Sequence, residues 1–467
     1  MSRSKTYVAA AAISGLLAAC ALPASNQFAV AQEVEMTADM PTAGTNLNDL
    51  YLWLHANPEL SFKERRTSAI LANEMRSLGF EVTTGLGDEW TKAKSMRDYG
   101  RIEPGVGGYG VVAVMKNGDG PTVLIRTDMD ALPVAENTGL SYASKVVDTT
   151  WTGVENGVMH ACGHDIHMTS WVGTARNLAA NKDAWSGTLV MIAQPAEELG
   201  NGAQAMLEDG LYSRFPTPDY NLALHDSAGL PAGKVGYSPG FALANVDSVD
   251  ITVKGVGGHG AYPHTTRDPV IVASSIVMAL QTLVSRNVDP QKSAVVTVGS
   301  IHAGAKHNII SDEAKLLLTV RSYDDATRKM LIEGIERIAK AQAEAYGAPE
   351  PVIFVEPDYT PSTYNDPALS DLAAEAIGEA IGAENVSILP PVMGGEDFSQ
   401  YSRTAEKIPS FLFWVGAVAP ETYAASQSVG AGLPSLHSPF FAPDYEPTIE
   451  TGVAAMTAAA MRLFNGG

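Results

Sequence analysis

The chain has 467 residues, 45% hydrophobic and 18% charged, enough to bury a large core in two or three domains and too apolar to stay disordered. A formal net charge of −21 repels nucleic-acid phosphates and anionic lipid headgroups, so no nucleic-acid partner is expected. With two cysteines in the whole chain, a disulfide scaffold is excluded.

The first stretch, "MSRSKTYVAAAAISGLLAACALPAS", has a basic start, an apolar run and then small residues, the layout of an export signal. Its apolar run falls short of the ~20 residues needed to cross a bilayer. "LAAC", ending at Cys20, resembles the bacterial lipoprotein signal, in which that cysteine becomes the lipid anchor; cleavage after "AVA" at Ala31 is the alternative. Residues 1–31 are thus read as an export or lipoprotein signal and the start of a linker. The expected location is exported, as a periplasmic or envelope-anchored lipoprotein of a bacterium.

Residues 46–80 carry apolar positions at helical spacing on both sides of "NPELSF", which predicts two helices. "YGVVAVMKNGDGPTVLIRTDMDALP" gives two strand-like runs joined across "NGDG", a hairpin or tight-turn signal. Residues 168–181 have helical character, and "GTLVMIAQPAEE" reads as a buried strand. Strands alternating with helices predict a layered α/β domain. From about Val246 the order becomes strand, helix, strand, strand, helix, strand, the split βαβ pattern of a small two-layer domain. After Pro361 the α/β texture returns. The expected organisation is a catalytic domain in two parts, 46–243 and 358–467, interrupted by an inserted domain over 244–357.

The decapeptide "MHACGHDIHM" sets Cys162 among His160, His164 and His167. Thiolate and imidazole are good ligands for zinc and similar ions, and Cys162 and His164, two apart in a glycine turn, can reach one centre. Alone, such a pair more often marks a buried thiol beside a hydrogen-bonded histidine. Downstream, "QPAEE" places Glu197 and Glu198 at the end of a buried strand, where adjacent carboxylates are costly unless a cation is near or one holds a proton. Neighbours in an extended segment point apart, so one can ligate metal while the other acts on water. "LALHDS" adds His225 and "LHSPFF" adds His437, completing a set of one Cys, one Glu and three His.

These segments, with "NPELSFKE", "RTDMDALP", "GGHGAYPH" and "MGGEDFS" in the same order, resemble peptidase family M20, in the subgroup of hippurate hydrolases and auxin-conjugate amidohydrolases. The resemblance runs from about Leu47 to Leu463. It implies an α/β fold: a zinc-exopeptidase-like catalytic domain with a mixed sheet flanked by helices, plus an inserted ferredoxin-like lid or dimerisation domain. It implies two divalent ions per subunit (Zn, Mn, Co or Ni) held by Cys162, His164, Glu198, His225 and His437, with Glu197 as general base. Which ligand bridges the ions stays open. Asp128 and Asp130 correspond to carboxylates that orient ligating imidazoles, with a strand-end cap as the alternative for Asp128. His259 matches the histidine that polarises the scissile carbonyl, often from the partner subunit, which points to a homodimer; His264 is read as structural. Asn308, Arg321 and Gly395 match substrate-gripping positions, although Arg321 fits a surface strand charge and Gly395 a plain turn.

Four departures stand out. Ile166 replaces a usual glycine and Ser311 a usual proline, residues 87–104 look like an extra loop, and residues 145–156 are longer than the pattern. Loops commonly line a pocket mouth, so these bear on substrate preference. The expected activity is hydrolysis of the amide bond in N-acyl amino acids or related small conjugates. A dipeptidase or carboxypeptidase with the same machinery, and a non-catalytic envelope protein that binds peptide, are the rivals.

Overall fold

The computed structural model of the protein describes residues 36–428 and 432–466. The export signal and Cys20 lie outside the described residues.

Eight strands form one mixed sheet in the order Glu81–Leu86, Gly110–Asn117, Gly187–Gln194, Thr122–Asp128, Tyr220–Pro231, Ser410–Val418, Val235–Tyr237, Val386–Ile388. The middle four are mutually parallel, and antiparallel pairings flank them on both sides. Both faces of this sheet are covered, so its strands read as continuous apolar runs whose alternate residues serve two cores. Val123, Ile125, Phe411 and Phe413 pack against the helices Leu47–Ala56, Arg65–Ser77, His164–Ala180, Pro367–Ile381 and Tyr445–Phe464. Leu124, Val190, Leu412 and Trp414 meet Ala203, Met206, Phe398 and Tyr401 on the other face.

The "NGDG" expectation is half right. The chain turns tightly there, but the flanking strands are not hairpin partners, because Gly187–Gln194 lies between them, antiparallel to one and parallel to the other. Gly120 makes room for this: at φ +153, a Cβ on it would stand 2.5 Å from the Ser186 carbonyl oxygen that leads into the intervening strand.

A second sheet of four antiparallel strands has the order Ala294–Ala303, Glu313–Ser322, Asp247–Lys254, Val352–Val355. The helices Pro269–Thr282 and Asp325–Ala345 cover one face and share a separate core with Val249, Ile251, Leu316 and Leu318. The two chain crossings between the sheets pair with each other: Val246 N–H donates to the Thr360 carbonyl (2.8 Å), and Thr360 N–H to that of Val246 (3.1 Å). Residues 87–104 are not simply a loop; they hold the helix Asp88–Tyr99, bounded by left-handed Gly87 and Gly100.

Candidate metal centre

Three loops bring the donor set together. The turn before helix His164–Ala180 carries Cys162, and Gly163 in it has φ +73; a Cβ there would lie 2.5 Å from the Asp226 carboxylate. Only glycine lets this turn close onto the strand Tyr220–Pro231, which carries His225. His437 also has a positive φ, 66°, and its N–H donates to the Ala161 carbonyl (2.8 Å), which seats the C-terminal loop beside Cys162. Cys162 Sγ then lies 3.6 Å from His225 Nε2 and 3.3 Å from His437 Nε2, and His437 Nε2 is 3.5 Å from Glu198 Oε2.

Hydrogen bonds on the far side of two of the rings aim these donors. His164 Nδ1 donates to the Asp130 carbonyl oxygen (2.7 Å) and His225 Nδ1 to that of Asp226 (2.7 Å), which leaves both Nε2 lone pairs facing the cluster. Within the groups Cys162, His164, His225; Cys162, Glu198, His437; and His164, Glu197, Glu198, the donor atoms lie within 4.8 Å of one another.

The two glutamates differ from expectation. They follow the strand Gly187–Gln194 in a turn with Ala196 at φ 52, not in extended backbone, so their carboxylates converge: Glu197 Oε2 is 4.0 Å and Glu198 Oε1 3.9 Å from His164 Nε2. Asp130 fixes that turn. Its carboxylate accepts the N–H groups of Glu197 (2.9 Å) and Glu198 (3.1 Å) and the Ser61 hydroxyl (2.6 Å). The imidazole that it orients is held by its backbone carbonyl. Asp128 bonds His167 Nδ1 (2.7 Å) and the Arg126 guanidinium (2.7 Å) and stands 3.7 Å from His164 Nε2.

Electrostatics and open valences fit a cation here. Among the described residues, His164 Nε2 and Glu198 Oε1 are buried without a hydrogen-bond partner. Burial pushes the Glu198 carboxyl up to about 8 and the Cys162 thiol well up. Burial, with the charges of Glu396 and Glu198, also raises Glu197 well above the carboxylate range. A divalent ion would saturate those lone pairs and hold thiolate and carboxylate ionised, and sulfur, imidazole and carboxylate are the donors that such ions take.

Several residues of the quoted motifs play supporting roles that the sequence does not mark. His167 offers no free donor: Nδ1 faces Asp128, and Nε2 accepts the Asp226 N–H (2.8 Å). Arg126 is fully buried and binds Asp128, Glu396 (2.8 Å) and Asp397 (3.2 Å). Burial alone would depress its guanidinium, but Glu396, Asp128 and Asp397 hold it well above its ordinary value. His160 is buried with both ring nitrogens unpartnered among the described residues, and burial pushes it down to about 4.

The remaining candidates form two groups. Gly395 and Arg321 meet at the sheet crossing: a Cβ on Gly395 would lie 2.1 Å from Val246 Cγ2 and 3.6 Å from Arg321 Nη1, and Arg321 donates to the Met393 carbonyl (3.3 Å). His259 and Asn308 meet in the second sheet's loops, where the Gly260 N–H donates to the Asn308 carbonyl (2.9 Å). His259 is exposed, its Nδ1 accepting the Ala261 N–H (3.0 Å), and neither His259 nor Asn308 bonds to the donor cluster among the described residues.

Residues 124–462 match peptidase family M20/M25/M40. The chain belongs to this family. This M20 chain is 35% identical to thermostable carboxypeptidase 2 of Saccharolobus solfataricus, over 88% of its own length and 94% of the relative's. It is 37% identical to the hippurate hydrolase of Campylobacter jejuni, over 77% and 85%. Among solved structures, the Bacillus subtilis YXEP protein, described as a dinuclear metal-binding M20 peptidase, superposes with a TM-score of 0.67 at 30% identity, covering 90% of this chain and 98% of that one. The M20 chain is a metal-dependent amidohydrolase that uses divalent ions and acts on a small-molecule substrate.

Proposed function

We propose that this enzyme hydrolyses the amide bond of N-acyl amino acids or related small conjugates, with two divalent ions held by Cys162, His164, Glu198, His225 and His437. The observation that carries this reading is the convergence of His225, His437 and Glu198, from distant segments, in two donor groups that share Cys162. Bound ions would supply Lewis-acid polarisation of the carbonyl and a water of lowered pKa. Glu197, anchored through its N–H to Asp130, takes the water proton and returns it to the leaving nitrogen. His259 donates to the developing oxyanion, and Arg321, Asn308 and Gly395 receive the substrate's carboxylate. His259 is exposed and lies outside the donor cluster, which supports a homodimer in which each lid serves its partner's site. Zn, Mn, Co and Ni all suit the donor set. Export as a periplasmic enzyme, anchored through Cys20, belongs to the same reading.

The test is Glu197→Gln in metal-loaded protein, which should lower kcat on an N-acyl amino acid by about 10²–10⁴-fold while metal content, read by elemental analysis, is kept. Retained activity in this variant would remove Glu197 from the reaction. The similarity to a carboxypeptidase supports a second reading, peptide-bond cleavage; a higher kcat/KM on dipeptides than on N-acetyl or N-benzoyl amino acids would favour it.

A further inference from the structure

The motifs "NPELSFKE" and "QPAEE" meet at a buried carboxyl that the proposed reaction leaves without a task. Glu64 is fully buried, and its Oε1 accepts two backbone N–H groups, those of Phe62 (2.8 Å) and Ala196 (2.8 Å). Phe62 has φ +58 and Ala196 φ +52. They are two of the four non-glycine residues with positive φ among the described residues, and a Cβ makes that region sterically costly. Phe62 and Ala196 also share a buried cluster with Val106 and Trp151, whose ring lies 5.4 Å from that of Phe62. A single acceptor atom thus ties two strained turns together.

Ala196 directly precedes Glu197, so its conformation sets where the Glu197 side chain starts. Three consecutive N–H groups end on two carboxyls: that of Ala196 on Glu64, and those of Glu197 (2.9 Å) and Glu198 (3.1 Å) on Asp130. Two tasks separate accordingly. Asp130 secures the backbone of the proposed ligand Glu198, whereas Glu64 secures the left-handed residue that leads into Glu197. Glu64 Oε2 is buried without a partner among the described residues, and burial, with the charge of Asp130, raises this carboxyl well above its ordinary range. A neutral acid suits the arrangement, because its carbonyl oxygen can accept both N–H groups.

We propose that Glu64 is a positioning residue for the hydrolysis: through Oε1 it holds Ala196 left-handed and so aims the Glu197 carboxylate into the donor cluster. The assignment rests on the reading of Glu197 as general base. Without this acceptor the Ala196 N–H is buried and unpaired, which favours relaxation of its φ to the ordinary region and turns the Glu197 side chain away. Glu198 stays tied to Asp130, so metal is kept while the base leaves its place.

The test measures kcat, KM and bound metal for metal-loaded wild type and variants, on whichever N-acetyl amino acid, N-benzoyl amino acid or dipeptide the wild type cleaves fastest. Glu64→Met keeps the side chain's length without an acceptor. It should lower kcat about 10–100-fold, the cost of a slightly misplaced reacting group, with KM within about twofold and metal content kept. Glu64→Gln, whose amide oxygen can accept the same two N–H groups, should stay within about threefold of the wild type. Val106→Ala loosens the same cluster without removing an acceptor, and should lower the melting temperature but not kcat. In a Glu197→Gln background, Glu64→Met should cost less than about threefold more, because residues that act as a unit are not additive. Should Glu64→Met fail to fold, Glu64→Asp, one methylene short, carries the test with a loss of at least about tenfold. Unchanged kcat in Glu64→Met or Glu64→Asp, an equal loss in Glu64→Gln or Val106→Ala, metal lost in step with activity, or a full penalty on top of Glu197→Gln overturns the assignment. Full activity in Glu197→Gln by itself removes the reading beneath it instead.

Discussion

Gly163 sits between two of the donors, with φ +73, where an added Cβ would come within 2.5 Å of the Asp226 carboxylate. Gly163→Ala adds left-handed backbone strain of roughly 1–2 kcal/mol to an overpacking cost of about 1–3 kcal/mol. Urea unfolding should show a loss of about 2–5 kcal/mol, accompanied by weaker metal uptake; an unaltered midpoint would show that the turn can relax. Arg126 makes a sharper case. Its guanidinium neutralises part of a buried group of three carboxylates, and removing one partner of a buried ionic network typically costs about 3–5 kcal/mol. Arg126→Met should destabilise by that amount in denaturant titration, and Arg126→Lys should recover little, since a point charge cannot reach Asp128, Glu396 and Asp397 at once. At this scale the five candidate donors could be picked out because Cys162, His164, Glu198, His225 and His437 each stand in a recognisable motif. The roles of His167, Asp226 and Arg126 could not, although these residues lie inside the same motifs. Apart from the Arg126–Asp128 contact, those roles depend on pairings across 39 to 271 residues, which spacing along the chain does not encode.

Between elements, the helix Leu47–Ala56 is tied to the helix His164–Ala180 by a buried contact. His55 Nδ1 is 2.7 Å from Asp165 Oδ2, and Nε2 is 3.2 Å from Glu136 Oε1. Burial opposes the charged ring, but the two carboxylates outweigh it and raise His55 from 6.5 to about 9. Because the folded value lies above the unfolded one, the contact stabilises fully below pH 6.5 and is lost as pH rises through about 9. The stability difference between wild type and His55→Gln should therefore be about 2–3 kcal/mol at about pH 6 and shrink markedly by about pH 9.5, measured by urea unfolding at both. A difference independent of pH would mean that the ring is neutral throughout. Element types were well marked by periodicity, as in the two helices around "NPELSF" and the alternating strand Asp247–Lys254. Strand neighbours were not: the "NGDG" turn advertises a hairpin, and only the later arrival of Gly187–Gln194 separates its strands. The helix Asp88–Tyr99 escaped because two flanking glycines and a polar composition read as loop.

Across the whole molecule, the donor cluster joins segments from residues 162 to 437, all of them on or around the eight-stranded sheet, while the four-stranded sheet has a separate core. A ligand that binds only the folded donor set adds stability of RT ln(1 + [L]/Kd), about 2.7 kcal/mol at a hundredfold excess over Kd. That stabilisation acts where the ligands are. Chelation should thus lower the melting temperature and speed amide exchange in the Cys162 turn, the Glu197–Glu198 turn and the His437 loop, where the orphaned His164 Nε2 and Glu198 Oε1 and the crowded carboxylates lose the cation that offsets them. Exchange in Asp247–Lys254 and Glu313–Ser322 should stay as it was, because Val249, Ile251, Leu316 and Leu318 are buried among their own helices. Hydrogen exchange read by mass spectrometry, with and without chelator, measures both at once. Uniform acceleration in the two sheets would show that they unfold as one cooperative unit, with the crossing at Val246 and Thr360 transmitting the loss.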